Sequence, residues 1–73
     1  MKDLLEFIVK GLVTAPESVK IEEEAQSGNF IIFADEKDKG LIIGKRGKII
    51  KAIRTLLKAA SGKENKQFFL KIA

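Results

Sequence analysis

The sequence predicts a single α+β domain with the element order α-β-β-α-α-β, in which three helices cover one face of a three-stranded mixed sheet. The chain has 73 residues, which is enough for one small domain that buries about 60% of its unfolded surface. Apolar residues recur with a helical period in some segments and alternate in others. Glycine, proline and polar residues separate most of these segments. We therefore treat residues 1–73 as one domain.

The first element is predicted to be a helix because its apolar residues share one face at helical spacing. These residues are Leu4, Leu5, Ile8, Val9, Leu12 and Val13. Asp3 and Glu6 resemble a capping box at its start, with Asp in place of Ser or Thr. Pro16 should end the helix, because a proline pushes the residue before it, Ala15, towards extended geometry.

Two strands are predicted next. Residues 18–24 alternate, with Val19 and Ile21 on one side and a lysine and two glutamates on the other. Residues 26–29 are typical turn residues, so the following strand should fold back as a hairpin. That strand, residues 29–34, is apolar on both sides, which suits a central position in the sheet.

Two helices and a strand complete the predicted fold. Asp35 can cap a short helix over residues 36–43, with Asp38 favourable in its first turn. Residues 44–47 break this helix, and a longer helix over residues 48–60 ends at Ser61 and Gly62. After a polar loop, residues 62–66, the chain closes with a strand over residues 67–72. A helical crossover joins the last two strands, so they should be parallel neighbours.

Composition excludes several classes of site. Cysteine and histidine are both absent, which removes disulfides, the usual zinc ligands and the common nucleophilic triads. We therefore predict no catalytic residue, no metal and no cofactor; a minimal enzyme using only carboxylates and lysines is a distant alternative. The longest apolar run is five residues, from Phe30 to Ala34, whereas a spanning helix needs about 18. With acids near the N-terminus as well, we expect a cytoplasmic chain without a membrane partner.

Charge is divided unevenly along the chain. Residues 1–38 hold four lysines against nine acids, a net charge of −5, whereas residues 39–73 hold ten cations against the single acid Glu64, a net charge of +9. The second half should therefore project a positive field. Such a field is the expected footprint of a polyanionic partner.

A glycine-flanked pair of cations lies in the middle of this basic half, as Gly44-Lys45-Arg46-Gly47. The two glycines allow a sharp turn and a close approach of another backbone. The helix that follows directs its N-terminal amides at the same place, which favours a phosphate. A bare Gly-x-x-Gly is weak evidence, and a helix–helix turn without a function is the alternative. The setting favours contact with one sugar-phosphate strand.

The surrounding sequence, Ile42-Ile43-Gly44-x-x-Gly47-x-x-Ile50, resembles the signature of the KH domain, and the element order resembles its type II form. Over the whole chain the sequence is similar to the KhpA family of small bacterial proteins that consist of one KH domain. This resemblance implies binding of single-stranded RNA, with about four nucleotides clamped by the GXXG loop, residues 44–47. It implies a groove walled by the neighbouring helices on one side and by the last strand with residues 62–66 on the other. It further implies a non-catalytic role as a post-transcriptional regulator or RNA chaperone, and self-association or pairing with KhpB, a larger protein with a KH domain of its own.

The candidate RNA-binding residues are the loop, two aliphatic residues before it, and residues of the helix after it. They are Ile42, Ile43, Gly44, Lys45, Arg46, Gly47, Lys48, Ile50, Lys51 and Arg54. The cationic face of the long helix contains no acid, unlike an ordinary solvated face. Ordinary solvation is the alternative, and it is strongest for Lys58. Tyrosine and tryptophan are absent and the five phenylalanines should lie mostly in the core, so base contacts should come from Ile42, Ile43 and Ile50. Core packing is the alternative for Ile43 and Ile50.

Two further expectations concern partners. The chain could be an interaction subunit whose RNA binding depends on a larger KH-containing protein, which a binding measurement on the isolated chain would decide. In addition, Ile31, Phe33 and Phe69 should form an apolar patch on the sheet face that the helices leave open. We expect this patch to serve self-association or a partner, since monomers rarely expose such patches. A tolerated patch on a cramped domain is the alternative.

Overall fold

A computed structural model describes residues 1–24, 28–62 and 67–73 and shows the predicted element order. The helices and strands are α1 (Lys2–Leu12), β1 (Lys20–Glu24), β2 (Asn29–Phe33), α2 (Lys39–Ile43), α3 (Lys48–Ser61) and β3 (Phe69–Ile72). Short 3₁₀ turns at Pro16–Ser18, Glu36–Asp38 and Lys45–Gly47 connect them. Residues 26–27 of the predicted hairpin turn and residues 63–66 of the polar loop before the last strand lie outside the described residues.

The three strands form one mixed sheet in the order β1-β2-β3. β1 runs antiparallel to β2, with Ile21 opposite Ile32. β3 runs parallel to β2, with Leu70 beside Phe30. The central position of the second strand and the parallel pairing across the helical crossover are both confirmed.

The hydrophobic core lies between the helices and one face of this sheet. Its buried members are Leu5, Val9, Ile21, Phe30, Ile32, Ile42, Ile53, Leu57 and Phe68. The rings of Phe30 and Phe68 stack with centroids 6.3 Å apart. α1 packs against β1 and α3, and α3 also contacts α2 and β3. The three helices therefore cover the same face, as predicted.

The first helix differs from the prediction at both ends. Met1 occupies the N-cap position and Asp3 lies inside the first turn, so the predicted capping box is wrong. Glu6 instead forms an ion pair with Lys10 at 2.8 Å, one turn further along. The helix ends at Leu12, before the restriction imposed by Pro16 applies, and Pro16 opens a separate 3₁₀ turn.

Two other helix ends follow the prediction. The Asp35 carboxylate accepts a hydrogen bond from the backbone N–H of Lys37 at 3.1 Å, which caps the turn before α2. That segment begins as a 3₁₀ turn rather than as one continuous helix. α3 ends at Ser61, and Gly62 adopts a left-handed φ of 69°, which a glycine accepts without strain.

Only part of the apolar side of α3 is buried in the core. Ile53 and Leu57 are buried, whereas Leu56 is 54% exposed and Ile49 also faces solvent. Helical spacing alone places all four on one apolar arc of α3. The neighbouring elements α1, α2 and β3 do not cover an arc this wide, so its outer edge stays at the surface.

The opposite sheet face carries the side chains predicted for it. β1 contributes Lys20, Glu22 and Glu24, β2 contributes Asn29, Ile31 and Phe33, and β3 contributes Phe69 and Lys71. Phe69 is 57% exposed, while Ile31 and Phe33 are half-buried. No helix among the described residues is long and apolar enough to cross a bilayer.

Candidate nucleic-acid interface

The Gly44 position accepts only glycine. Its φ of 74° and ψ of 172° lie in a region that residues with a side chain essentially do not occupy. A Cβ atom there would lie 2.7 Å from the backbone nitrogen of Ile49 and closer still to the Ile49 side chain. The chain therefore turns sharply here and packs directly against the first turn of α3.

The rest of the loop is a tight left-handed turn. The N–H of Gly47 donates to the carbonyl of Gly44 at 3.1 Å, and Gly47 has a φ of 76°. Arg46 also has a positive φ, 57°, and it is the only non-glycine among the described residues that does. Such a conformation is strained for arginine and is concentrated at functional sites. The turn holds Lys45 and Arg46 at the surface.

Cations surround an open depression beside this turn. Its volume is about 370 Å³, and the described residues that line it are Lys45, Arg46 and Lys48. α3 begins at Lys48 without a side-chain cap, and the Lys48 N–H donates to the carbonyl of Lys45. The positive end of the helix dipole favours an anion beside this end of α3. The helix dipole and three cations therefore act on the same small volume.

The basic surface continues along α3. Lys51 and Arg54 are exposed and Lys58 is half-buried. α3 contains no acidic residue. Within the described part of the chain, no ion pair involves any cation between Lys45 and Lys58. The field of this surface is therefore not neutralised locally.

The three candidate aliphatic residues differ in their exposure to solvent. Ile42 is fully buried in the core, so its side chain is closed off from a surface ligand. Ile43 is 40% exposed and Ile50 is half-buried. The side chains of Ile43 and Ile50 are therefore accessible beside the loop, whereas the side chain of Ile42 anchors α2 in the core.

Asp38 is a structural residue that the sequence assigned only to a helix start. It is 1% exposed. One carboxylate oxygen accepts hydrogen bonds from the Thr14 hydroxyl at 2.7 Å and the Thr14 N–H at 3.1 Å, and the other accepts from the Ala15 N–H at 3.0 Å. Burial raises the pKa of Asp38, but these three hydrogen bonds outweigh it and hold the pKa below its ordinary value. Asp38 thus ties the segment after α1 to the start of α2. No local sequence pattern predicts this contact, because Asp38 is more than twenty residues away from Thr14 and Ala15.

This geometry concentrates positive charge beside the N-terminus of α3. Among residues 1–24, 28–62 and 67–73, no cluster of acidic side chains is arranged to hold a metal ion. Buried polar side-chain atoms in the same residues all have hydrogen-bond partners. The loop offers positive charge at a helix N-terminus, beside the accessible side chains of Ile43 and Ile50.

Comparison with known proteins connects this geometry to a family. A family model described as "KhpA/KhpB, KH domain" matches residues 2–72. The chain is 45% identical over 74 residues to a Clostridium perfringens protein named RNA-binding protein KhpA, with 99% of both chains covered. Proteins of the same name from Chlamydia trachomatis and Thermotoga maritima are 45% and 39% identical, covering 99% of this chain and 95% and 97% of their own. No solved structure matches. A chain with this fold, this loop and similarity over its full length belongs to the KhpA/KhpB family of KH domains.

Proposed function

We propose that the chain binds single-stranded RNA through the GXXG loop and the groove beside it, without catalysis, as a post-transcriptional regulator or RNA chaperone. The relatives named above carry RNA binding in their names. We propose that the chain acts in the cytoplasm, where a post-transcriptional regulator or RNA chaperone meets its RNA.

The observation that carries this proposal is the conformation of the loop. Gly44 brings the backbone against Ile49, and the turn that follows presents Lys45 and Arg46 beside the N-terminus of α3. A single sugar-phosphate strand can approach such a turn closely, whereas a duplex cannot. About four nucleotides would span the loop and the groove.

The roles of the candidate residues follow from their placement. Lys45, Arg46 and Lys48 contact phosphates at the depression, and Lys51 and Arg54 extend the positive track along α3. Ile43 and Ile50 are the aliphatic residues available for base contact. Ile42 supports the loop from the core, so we assign it no contact with RNA.

Replacing Lys45 and Arg46 together by aspartate tests the proposal. Both side chains are exposed, and aspartate tolerates the left-handed conformation of Arg46 better than most residues, so the fold should persist. Loss of two charge-assisted contacts should weaken binding of a short single-stranded RNA at least about a hundredfold. Fluorescence anisotropy with a labelled oligonucleotide measures this directly.

The matched control is Lys2→Asp with Lys20→Asp, which changes the net charge equally but far from the loop. These lysines are exposed on α1 and β1. The control should bind with only the modest loss that a lower overall charge produces. Equal affinities of the two double variants would refute a role for the loop.

A second candidate function is that of an interaction subunit. The chain exposes large apolar side chains on its helices, with Phe7 76% and Leu56 54% accessible, and such surfaces commonly mark partner contacts. In this case the chain would form a homodimer, or a heterodimer with a KhpB-like protein, and its grip on RNA would depend on that partner. Tight RNA binding by the isolated chain at moderate salt would reject the dependence on a partner.

A further inference from the structure

An exposed aromatic ring on β3 lies outside the RNA interface proposed above. Phe69 is 57% exposed, although its neighbour Phe68 is buried in the core. Successive side chains of a strand point to opposite faces of a sheet, so the ring of Phe69 lies on the face that the helices leave open. An exposed aromatic ring is a surface on which a nucleic-acid base can stack.

Two polar neighbours surround this ring. Asn29 on β2 is the partner of Phe69 in the sheet register, so their backbones are about 4.8 Å apart. Its amide group can both donate and accept hydrogen bonds, as the edge of a base requires. Lys71 follows Phe69 on the same face, about 7 Å further along the strand. Its side chain is exposed, and no ion pair among the described residues involves it. A ring, an amide and an ammonium group can together bind the base and the phosphate of one nucleotide.

The place of β3 in the fold connects these groups to the basic surface of α3. β3 is an edge strand of the described sheet, and α3 packs against it. The cations from Lys48 to Lys58 extend over about 15 Å of α3. A strand of RNA that leaves the GXXG loop along these cations can therefore pass over the outer edge of β3 and reach the ring of Phe69.

We propose that Phe69, Asn29 and Lys71 form an additional subsite for one nucleotide of an RNA longer than the about four nucleotides held by the loop and its groove. The base of this nucleotide stacks on the ring of Phe69, and the amide of Asn29 bonds to the edge of the base. Lys71 contacts a phosphate of the same strand. This inference rests on the proposed binding of single-stranded RNA and extends it to a second face of the domain.

The acidic residues of the same face limit where the RNA can lie. Glu22 and Glu24 are both on β1, two strands from β3 and therefore about 10 Å away from it. Their carboxylates repel a phosphate placed over β1, whereas β3 contains no acidic residue. The charges of the face thus favour an RNA strand over β3 and disfavour one that crosses the whole sheet.

Two RNAs of equal length test the stacking contact. One is a single strand of about 12 nucleotides, and the other has the same backbone but carries bases only on about four central nucleotides. In fluorescence anisotropy the wild-type chain should bind the complete RNA about fivefold or more tightly than the RNA with abasic flanks, because one stacked base contributes at least this much. Phe69→Leu should bind the two RNAs equally tightly. Phe69→Tyr keeps the ring and should retain the difference.

Matched substitutions elsewhere in the chain serve as controls. Phe7 is 76% exposed on α1, and Phe7→Leu should retain the difference between the two RNAs. Lys71→Gln should reduce the slope of log affinity against log salt by about 0.7 for the complete RNA, the value for one phosphate contact. Lys20→Gln, on the same face but on β1, should leave this slope unchanged. Circular dichroism shows whether each variant keeps the fold.

The outcomes separate this subsite from the loop. If the wild-type chain bound both RNAs equally tightly, and Lys45→Asp with Arg46→Asp weakened both, the subsite would be overturned and the role of the loop would stand. Weaker binding of a tetranucleotide by folded Phe69→Leu would also overturn the subsite, since a tetranucleotide held at the loop does not reach the ring. If Phe69→Leu changed the oligomeric state in sedimentation and left both RNA affinities unchanged, the ring would belong to a protein interface instead.

Discussion

Substitution of glycine by alanine at three positions should give three different effects on stability. Gly44, Gly47 and Gly40 lie within eight residues of one another, but their surroundings differ. At Gly44 the backbone is in a glycine-only region and a Cβ would overlap the backbone of Ile49. The cost combines about 1–3 kcal/mol of conformational strain with about 1–3 kcal/mol of overpacking. We therefore expect Gly44→Ala to destabilise the fold by about 3–5 kcal/mol.

The other two positions serve as internal controls. At Gly47 φ is also positive, but a Cβ would meet its neighbours at 3.9 Å and 4.0 Å, which is ordinary contact. Gly47→Ala should therefore cost only about 1 kcal/mol, the strain of a left-handed alanine. Gly40 has open space around it and lies in α2, so Gly40→Ala should stabilise by about 0.5–1 kcal/mol.

Urea denaturation followed by circular dichroism measures all three variants. A domain of this length has a free energy of unfolding of about 4–11 kcal/mol, so Gly44→Ala could be largely unfolded in water. In that case refolding with trimethylamine N-oxide recovers a measurable transition. If Gly44→Ala and Gly47→Ala differed by less than about 0.5 kcal/mol, the close approach of residues 44 and 49 would be refuted.

Two further predictions concern salt and pH. If about four phosphates are contacted, log affinity against log salt should have a slope near −3, from about −0.7 per phosphate for single strands; a flat response, or tighter binding of duplex, would contradict the proposed groove. The folded-state pKa of Asp38 lies below its unfolded value, so its contribution to stability is present above the unfolded pKa and is lost as pH falls through the folded pKa. Asp38→Asn should lower the melting temperature at pH 7 by about 5 °C or more and flatten the acid side of the stability profile. An unchanged acid profile in thermal melts would show that another group dominates.

Much of the fold could be predicted because the local signals agree with the tertiary structure. Alternation identified the core-facing residues of β1, and the apolar character of β2 on both sides identified the central strand. The crossover between β2 and β3 then left parallel pairing as the simple solution. The turn at residues 44–47 was also predictable, because two closely spaced glycines between two helical patterns allow a sharp change of direction.

What the sequence did not predict depends on contacts between distant residues. Helical periodicity gives the direction of the apolar arc on α3 but not how much of the arc is covered, so it does not predict that Leu56 is exposed while Leu57 is buried. α2 is only five residues long, too short for periodicity to decide whether Ile42 or Ile43 points inwards. The bonds of Asp38 to Thr14 and Ala15 have no local counterpart at all.

These long-range contacts determine how rigidly the loop is held. Ile42 fixes α2 in the core, Asp38 fixes the start of α2 to the segment after α1, and Gly44 fixes its end against Ile49. A ligand that meets such a loop does not have to order it, so little binding energy is lost to conformational entropy. The strained φ of Arg46 is tolerated because its neighbours over-determine the turn. Asp38→Asn should loosen this support from a distance. It should therefore weaken RNA binding without removing any group that we propose to contact RNA. Binding measured well below the melting temperature separates this effect from unfolding.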